Sequence, residues 1–530
     1  MSSAEPATPT EARTEKSLHS QMRTGALLWG LGNAASRVLR FGAQFLLVWL
    51  LLPADFGLVA MTTALMNVLQ MVSEFGVGIA VIQKKDMKDG YVHTAFWLNL
   101  AASVLILAVA WVTAPWIAAF YGAEEVTWLV RITSLSFPIT ALRTIPMSLL
   151  RRRMQFGVNS ALETAWNGIS GALMIAFAWF GASYWSLVVP SMIVSVLMTP
   201  LWFAYAKWRP AFAFDGAEFW ELLHYSKNLV GASLLSLVLS NAGFVIAGHL
   251  LGKDAAGLYN VATTYSMIVL INYAWLIGNV SLSGFAAKQG DAEALRDGFV
   301  RIYELLAATT LPVHVLGIVL APLLFDVFLP ERYAAAERGF QLLLAYSAVR
   351  SLAAHVAPFY NAINRAYVNF FYLLFATPVC IVVMYFACKH YLSQGGVYAG
   401  LDALAWATLL TQGTSVFCLL AVMKWVMGWR GVGLVRRVMP FLVAAFLASV
   451  AAVGVMVAHQ YFATGLPVRI AGFLALCIAT ALGAGVYVVT LYFLARRQFA
   501  VVLRDAIPGK FRNRFLYSWF PALRENPVQD

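Results

Sequence analysis

Leu51-Leu52-Pro53-Ala54-Asp55-Phe56-Gly57-Leu58 returns later in the chain as Leu250-Leu251-Gly252-Lys253-Asp254-Ala255-Ala256-Gly257-Leu258. A threonine pair follows each copy, Thr62-Thr63 and Thr263-Thr264, and the offset is 199 residues from Asp55 to Asp254 and 200 from Gly57 to Gly257. Asp and Gly favour turns for local reasons, so chance similarity is one explanation. The matching order and near-constant offset favour an internal repeat. A fainter pair, Leu142-Arg143-Thr144 and Val349-Arg350-Ser351, is offset by 207.

Each copy is a tight turn between two hydrophobic runs of membrane-spanning length. Such runs, long enough to cross about 30 Å of hydrocarbon, recur at 25–52, 57–82, 91–115, 126–149, 158–181, 183–206, 226–251, 257–285, 299–325, 338–361, 367–388, 397–423, 438–460 and 468–495. Breaks with very short connections fall near Gly181 and Gly395-Gly396. Composition agrees: 61% of residues are hydrophobic and 12% charged, against roughly 45–50% and 25% in soluble domains. The expected fold is an all-α polytopic membrane protein of about 14 transmembrane helices. Six spans separate the two turns, which predicts a parallel repeat of two pseudo-symmetric six-helix lobes plus two C-terminal helices. The domains are then a tail at 1–24, spans one to six at 25–206, a linker at 207–225, spans seven to twelve at 226–423, spans thirteen and fourteen with their preceding loop at 424–495, and a basic tail at 496–530.

Of the 37 Lys and Arg, 26 fall to the inner segments and 5 to the outer ones when the N-terminus is placed inside. That bias predicts both termini in the cytoplasm. It also accounts for the net charge of +12 without nucleic acid. The first 24 residues lack the layout of a signal peptide, so the first span is expected to be retained. Cys380, Cys388, Cys418 and Cys477 lie in hydrophobic runs and read as small core residues, implying no disulfide and no metal. The tail from Arg496 mixes Arg and Lys with Phe511, Phe515, Tyr517, Trp519 and Phe520. This composition suits an anionic membrane surface, a docking partner or a disordered tail.

Polar residues inside the spans are the candidate site. Asn33, Arg37, Arg40 and Gln44 share one face of the first span, and each arginine costs roughly 2.5–3.5 kcal/mol at a bilayer centre. Such a stripe must turn toward a water-filled cavity or acidic partners. Span two carries Thr63, Asn67, Gln70 and Glu74 at the same spacing; Glu74 either neutralises an arginine or serves the site. The repeat maps Arg37 and Arg40 onto Ser236 and Leu239, so the cationic face belongs to the first half alone. Arg143 lies between Pro138 and Pro146 in a helix expected to kink there. Arg350, and Glu163 with Asn167 on one face of span five, complete the interior polar groups. Lys227 and Glu304 lie near helix ends, within reach of the interface. His314 and His355 read either as proton-coupling groups or as satisfied structural donors.

A phosphate-binding loop of the Gly-x4-Gly-Lys-Ser/Thr type is absent from the sequence, so no ATP-hydrolysing site is expected. Cys and His show no metal spacing, and no cofactor is expected. The longest outer loops, around Trp116 to Glu125 and Asp326 to Glu337, are too short to house a catalytic domain. A carrier is expected rather than an enzyme.

The stretch from Leu51 to Met61, with Phe75-Gly76-Val77-Gly78-Ile79-Ala80-Val81-Ile82-Gln83-Lys84-Lys85-Asp86, resembles the start of Wzx-type oligosaccharide flippases, in particular the colanic-acid-exporter branch. The wider superfamily includes the lipid II flippase and the multidrug and toxin extrusion transporters. The resemblance implies alternating access around a central cavity between two lobes, in a bacterial cell inner membrane. The implied substrate is a polyprenyl-pyrophosphate-linked oligosaccharide, carried for surface polysaccharide biosynthesis, and the implied partners are membrane lipids, a polysaccharide polymerase and chain-length machinery. Arg37, Arg40, Asn33, Gln44, Asn67, Gln70, Arg143 and Arg350 would bind the head group. Glu74, Glu163, Glu304 and His314 would serve ion coupling or charge pairing. A lipid II-type or multidrug transporter, or a polysaccharide polymerase, is the alternative.

Overall fold

The computed structural model describes residues 36–498, apart from residues 75, 85–88, 269, 428–431, 463–466 and 497. Asn33, the N-terminal tail, the C-terminal tail beyond Gln498 and the side chains of Lys227 and Cys418 therefore lie outside the described residues. Among the described residues the chain is helical, without a strand. It divides into two compact units, residues 1–257 and 258–530.

The first unit holds α1 (residues 36–50), α2 (Pro53–Glu74), α3 (Val77–Gln83), α4 (Asp89–Tyr121), α5 (Glu125–Ser134), α6 (Ser136–Arg152), α7 (Phe156–Trp179), α8 (Trp185–Ala206) and most of α9 (Gly216–Ser266). The second holds the rest of α9, a π-helical turn at Leu270–Ala274, α10 (Trp275–Ala286), α11 (Ala292–Phe328), α12 (Glu337–Leu352), α13 (Val356–Ala362), α14 (Ala366–Met427), α15 (Val432–Phe462) and α16 (Val468–Leu494). Among the described residues, nine helical stretches are long and apolar enough to cross a membrane. The protein is a multi-pass membrane protein.

Glycines fix where the long helices kink. α9 and α14 each pass through one non-helical residue, Gly252 at φ 84° and Gly396 at φ 77°, a region costly for any residue with a Cβ. Both fall where the sequence predicts a turn or break. The break near Gly181 is also present, between the end of α7 and the start of α8, with φ 81°. At the first repeat turn Pro53 opens α2, its fixed φ suiting the first helical position. Asp55 reaches back to accept from the Leu52 N–H at 2.9 Å, half of a capping box.

Two expectations are corrected. The fourth span, expected as one run over 126–149, divides at Leu135 into α5 and α6, and Arg143 lies in α6, which has Pro146 inside it. Pro138 sits in the first turn of α6, where proline replaces an N–H with no helical partner. Cys380 and Cys388 are buried as expected, but Cys477 is exposed on α16.

Packing in the first unit brings α1 onto α7. Ser36 Oγ lies 2.8 Å from Thr164 Oγ1. Farther along, Gly168 and Gly171 leave room for α1, and a Cβ on Gly171 would lie 3.0 Å from the Ala43 Cβ. Small residues at a membrane helix crossing admit this close approach. The second unit has an aromatic core in which Phe299, Phe359, Tyr360 and Phe441 are almost wholly buried.

Candidate functional site

The α1–α7 contact decides which charges meet. With Ser36 and Ala43 against α7, Arg37 is half-buried and Arg40 keeps an open side. Arg40 lies within electrostatic range of Arg37 and of Glu163 on α7. Glu163 Oε1 accepts from Arg151 Nη2 of α6 at 3.1 Å and from Asn159 Nδ2 at 3.0 Å. Arg143, two turns before Arg151, is in range of both Glu74 and Glu163, and its guanidinium lies 5.6 Å from the Trp166 ring centroid. Asn167 donates to the Glu163 carbonyl at 2.8 Å, which ties it to its own helix.

The polar stripe of α2 continues this surface. Gln70 Nε2 donates to Glu74 Oε1 at 2.7 Å. Asn67 Nδ2 reaches Asn241 Oδ1 of α9 at 3.4 Å. Thr63 and Asn67 are exposed, an arrangement that calls for water rather than lipid beside them. Glu74 therefore acts on Arg143, and Glu163 acts on Arg40, Arg143 and Arg151. The group brings several guanidiniums and two carboxylates to one region of the first unit, which can bind a multiply charged anion through bidentate forks.

Gln44 is half-buried on α1. Arg350 is exposed on α12 in the second unit, in electrostatic range of Tyr346. Glu304, expected near the interface, is buried and paired with Arg437 Nη1 of α15 at 3.0 Å. His314 is buried, with Nδ1 2.7 Å from the Thr310 carbonyl and Nε2 3.0 Å from Ser347 Oγ. His355 is fully buried against Phe299, ring centroids 4.3 Å apart.

Sequence reasoning missed Arg151, Asn159, Trp166 and Asn241. Asn159, Glu163 and Asn167 recur every four residues, a signal that could have found the first of these polar partners. Arg151 reads as a loop cation until α6 is seen to extend to Arg152.

Residues 46–338 match a family described as "Polysaccharide biosynthesis protein". The chain belongs to that family. It is similar to the teichuronic acid biosynthesis protein TuaB of Bacillus subtilis, 26% identical over 285 residues, 53% of this chain and 59% of that protein. It is also similar to the succinoglycan biosynthesis transport protein ExoT of Rhizobium meliloti, 25% identical over 240 residues, 44% of this chain and 49% of that protein. The chain thus spans about half the length of these two relatives. Among solved structures, the lipid II flippase MurJ in an inward closed conformation is similar in fold, with a TM-score of 0.67 and 14% identity over 89% of this chain and 100% of that one.

Proposed function

We propose that this chain is a flippase that carries a polyprenyl-pyrophosphate-linked oligosaccharide repeat unit across a bacterial inner membrane by alternating access, with both termini in the cytoplasm. The observation that carries this reading is the convergence of Arg40 and Arg143 with Glu74 and Glu163 in the first unit, with Arg151 paired to Glu163 at the end of α6. Intramembrane charges of this kind are costly and mark substrate or ion paths. A pyrophosphate brings about two negative charges, and guanidinium forks bind its oxygens in pairs. Arg37, Arg40 and Arg143 hold the head group, while Asn67, Gln70 and Gln44 offer amides to the sugars. Membership in a polysaccharide biosynthesis family, a relative named as a transport protein and a fold shared with a flippase support the reading. A polysaccharide polymerase and chain-length machinery then receive the flipped unit.

The test is a strain whose own copy is replaced by Arg40→Ala or Arg143→Ala. Membrane insertion should be normal, surface polysaccharide should be lost, and lipid-linked units should accumulate in the inner leaflet. Arg→Lys at either position should restore only part, because the fork is lost. Normal surface polysaccharide in an Arg40→Ala/Arg143→Ala double variant would sink the reading, and outer-leaflet units without long chains would indicate a polymerase instead.

A further inference from the structure

Glu163 is in a position that a substrate-binding surface does not need. Of the two carboxylates in the cluster, it acts on three guanidiniums at once: it is ion-paired with Arg151 at 3.1 Å and within range of Arg40 and Arg143. Its two hydrogen bonds, from Arg151 Nη2 and Asn159 Nδ2, converge on Oε1. The Arg151 and Glu163 side chains keep 38% and 30% of their surface exposed, so an incoming anion can reach the pair. The helix crossing that places Arg40 near Glu163 is held by Ser36–Thr164 and by Gly168 and Gly171, whose contacts do not depend on the charges.

We propose that Glu163 is a displaceable counter-ion that occupies the guanidiniums of the empty site and competes with the anionic head group of the substrate. This rests on the reading of the cluster as a pyrophosphate holder. A monovalent carboxylate is a weaker ligand for several guanidiniums than a phosphate ester with two or more charges, so the substrate displaces it. The same carboxylate then lowers the affinity for the bound head group and favours its release, which a carrier needs more than tight binding. Arg151 sets the strength of this competition by drawing Glu163 toward itself and away from Arg40 and Arg143. Glu74, which acts on Arg143 and accepts from Gln70 at 2.7 Å, adds a second negative charge near Arg143.

The experiment measures binding of farnesyl pyrophosphate, a short polyprenyl pyrophosphate, to the purified full-length protein in nanodiscs, with farnesol as the uncharged control. Glu163→Gln should bind the pyrophosphate roughly tenfold tighter, the weight of about one unit charge in a partly hydrated site, with farnesol binding unchanged, and should slow transport of the natural lipid in proteoliposomes. Arg151→Gln should weaken binding, because all of the Glu163 charge then falls on Arg40 and Arg143. The double variant Arg151→Gln/Glu163→Gln removes the pair together, leaves no lone charge to compromise folding, and should again bind tighter than the unaltered protein. Unchanged or weaker binding by both Glu163→Gln and the double variant, while Arg40→Ala still abolishes it, would overturn the counter-ion and leave the pyrophosphate site standing. Unchanged binding by Arg40→Ala and Arg143→Ala would remove the site itself.

Discussion

Gly57 and Gly257, equivalent positions of the two repeat turns, lie against each other's backbone within the first unit. A Cβ on Gly57 would fall on the Lys253 carbonyl and 2.9 Å from the Gly257 nitrogen, and a Cβ on Gly257 would fall on the Pro53 carbonyl and 3.1 Å from the Gly57 nitrogen. The contact is reciprocal, since Pro53 and Lys253 each stand four residues before the glycine of their own turn. Only glycine allows two backbones to approach this closely. Gly57→Ala or Gly257→Ala should therefore cost roughly 1–3 kcal/mol by overpacking. Thermal unfolding of the purified variants checks this, and an unaltered melting profile for both would contradict the close approach.

Beside that crossing, Lys253 Nζ pairs with Glu125 Oε1 at 2.7 Å. The hydrogen bond from Lys253 is the main cause that holds the Glu125 carboxyl below its ordinary value. A carboxylate depressed in the folded state adds stability above its unfolded pKa, about 4.3, and loses it as pH falls through the lower folded value. Lys253→Met should be less stable than the unaltered protein at pH 6–7, by a small margin because both side chains are more than a third exposed. The difference should shrink as pH falls below about 4.3 and vanish only below the lowered folded value. A difference independent of pH would assign the effect to packing.

The turns at Gly252 and Gly396 were legible because one residue type carries the required φ, and the repeat was legible because its turns preserve Asp and Gly in order. The stripes of α1 and α2 were legible from period alone. Which carboxylate meets which arginine was not, because it depends on α1 packing on α7 through Ser36, Gly168 and Gly171, contacts that local pattern does not encode. The division of the fourth span at Leu135 was missed because neither Gly nor Pro stands there, and Pro138, three residues on, fits the first turn of a helix. The exposure of Cys477 was hidden because a helix apolar on all sides shows no face.

Lys84 ties α3 to the start of α9, with Nζ 2.7 Å from Glu218 and 2.8 Å from Glu221. Burial works against its charge, but the two carboxylates outweigh it and hold the ammonium above its ordinary range. Glu218 is the buried partner, with 9% of its side chain exposed against 57% for Glu221. Glu218→Gln should therefore loosen the segment from Gly216 to Leu222 more than Glu221→Gln does. Hydrogen exchange of that segment is the measurement; equal protection in both variants would mean the tie is carried elsewhere.

In the second unit Glu304 is 9% exposed and Arg437, its partner, 53%. The asymmetry makes the carboxylate the vulnerable member, since removing the cation strands a buried negative charge, a loss of about 3–5 kcal/mol for a fully buried pair and less here because Arg437 is half open. Arg437→Ala should lower thermal stability more than Glu304→Gln, which leaves a neutral amide and a cation that can turn to water. The double variant Glu304→Gln/Arg437→Ala should recover most of the loss, because the buried charge and its partner leave together. Additive losses in the double variant would show that the two side chains act independently, and that packing around α11 and α15 rather than charge sets the stability of this contact.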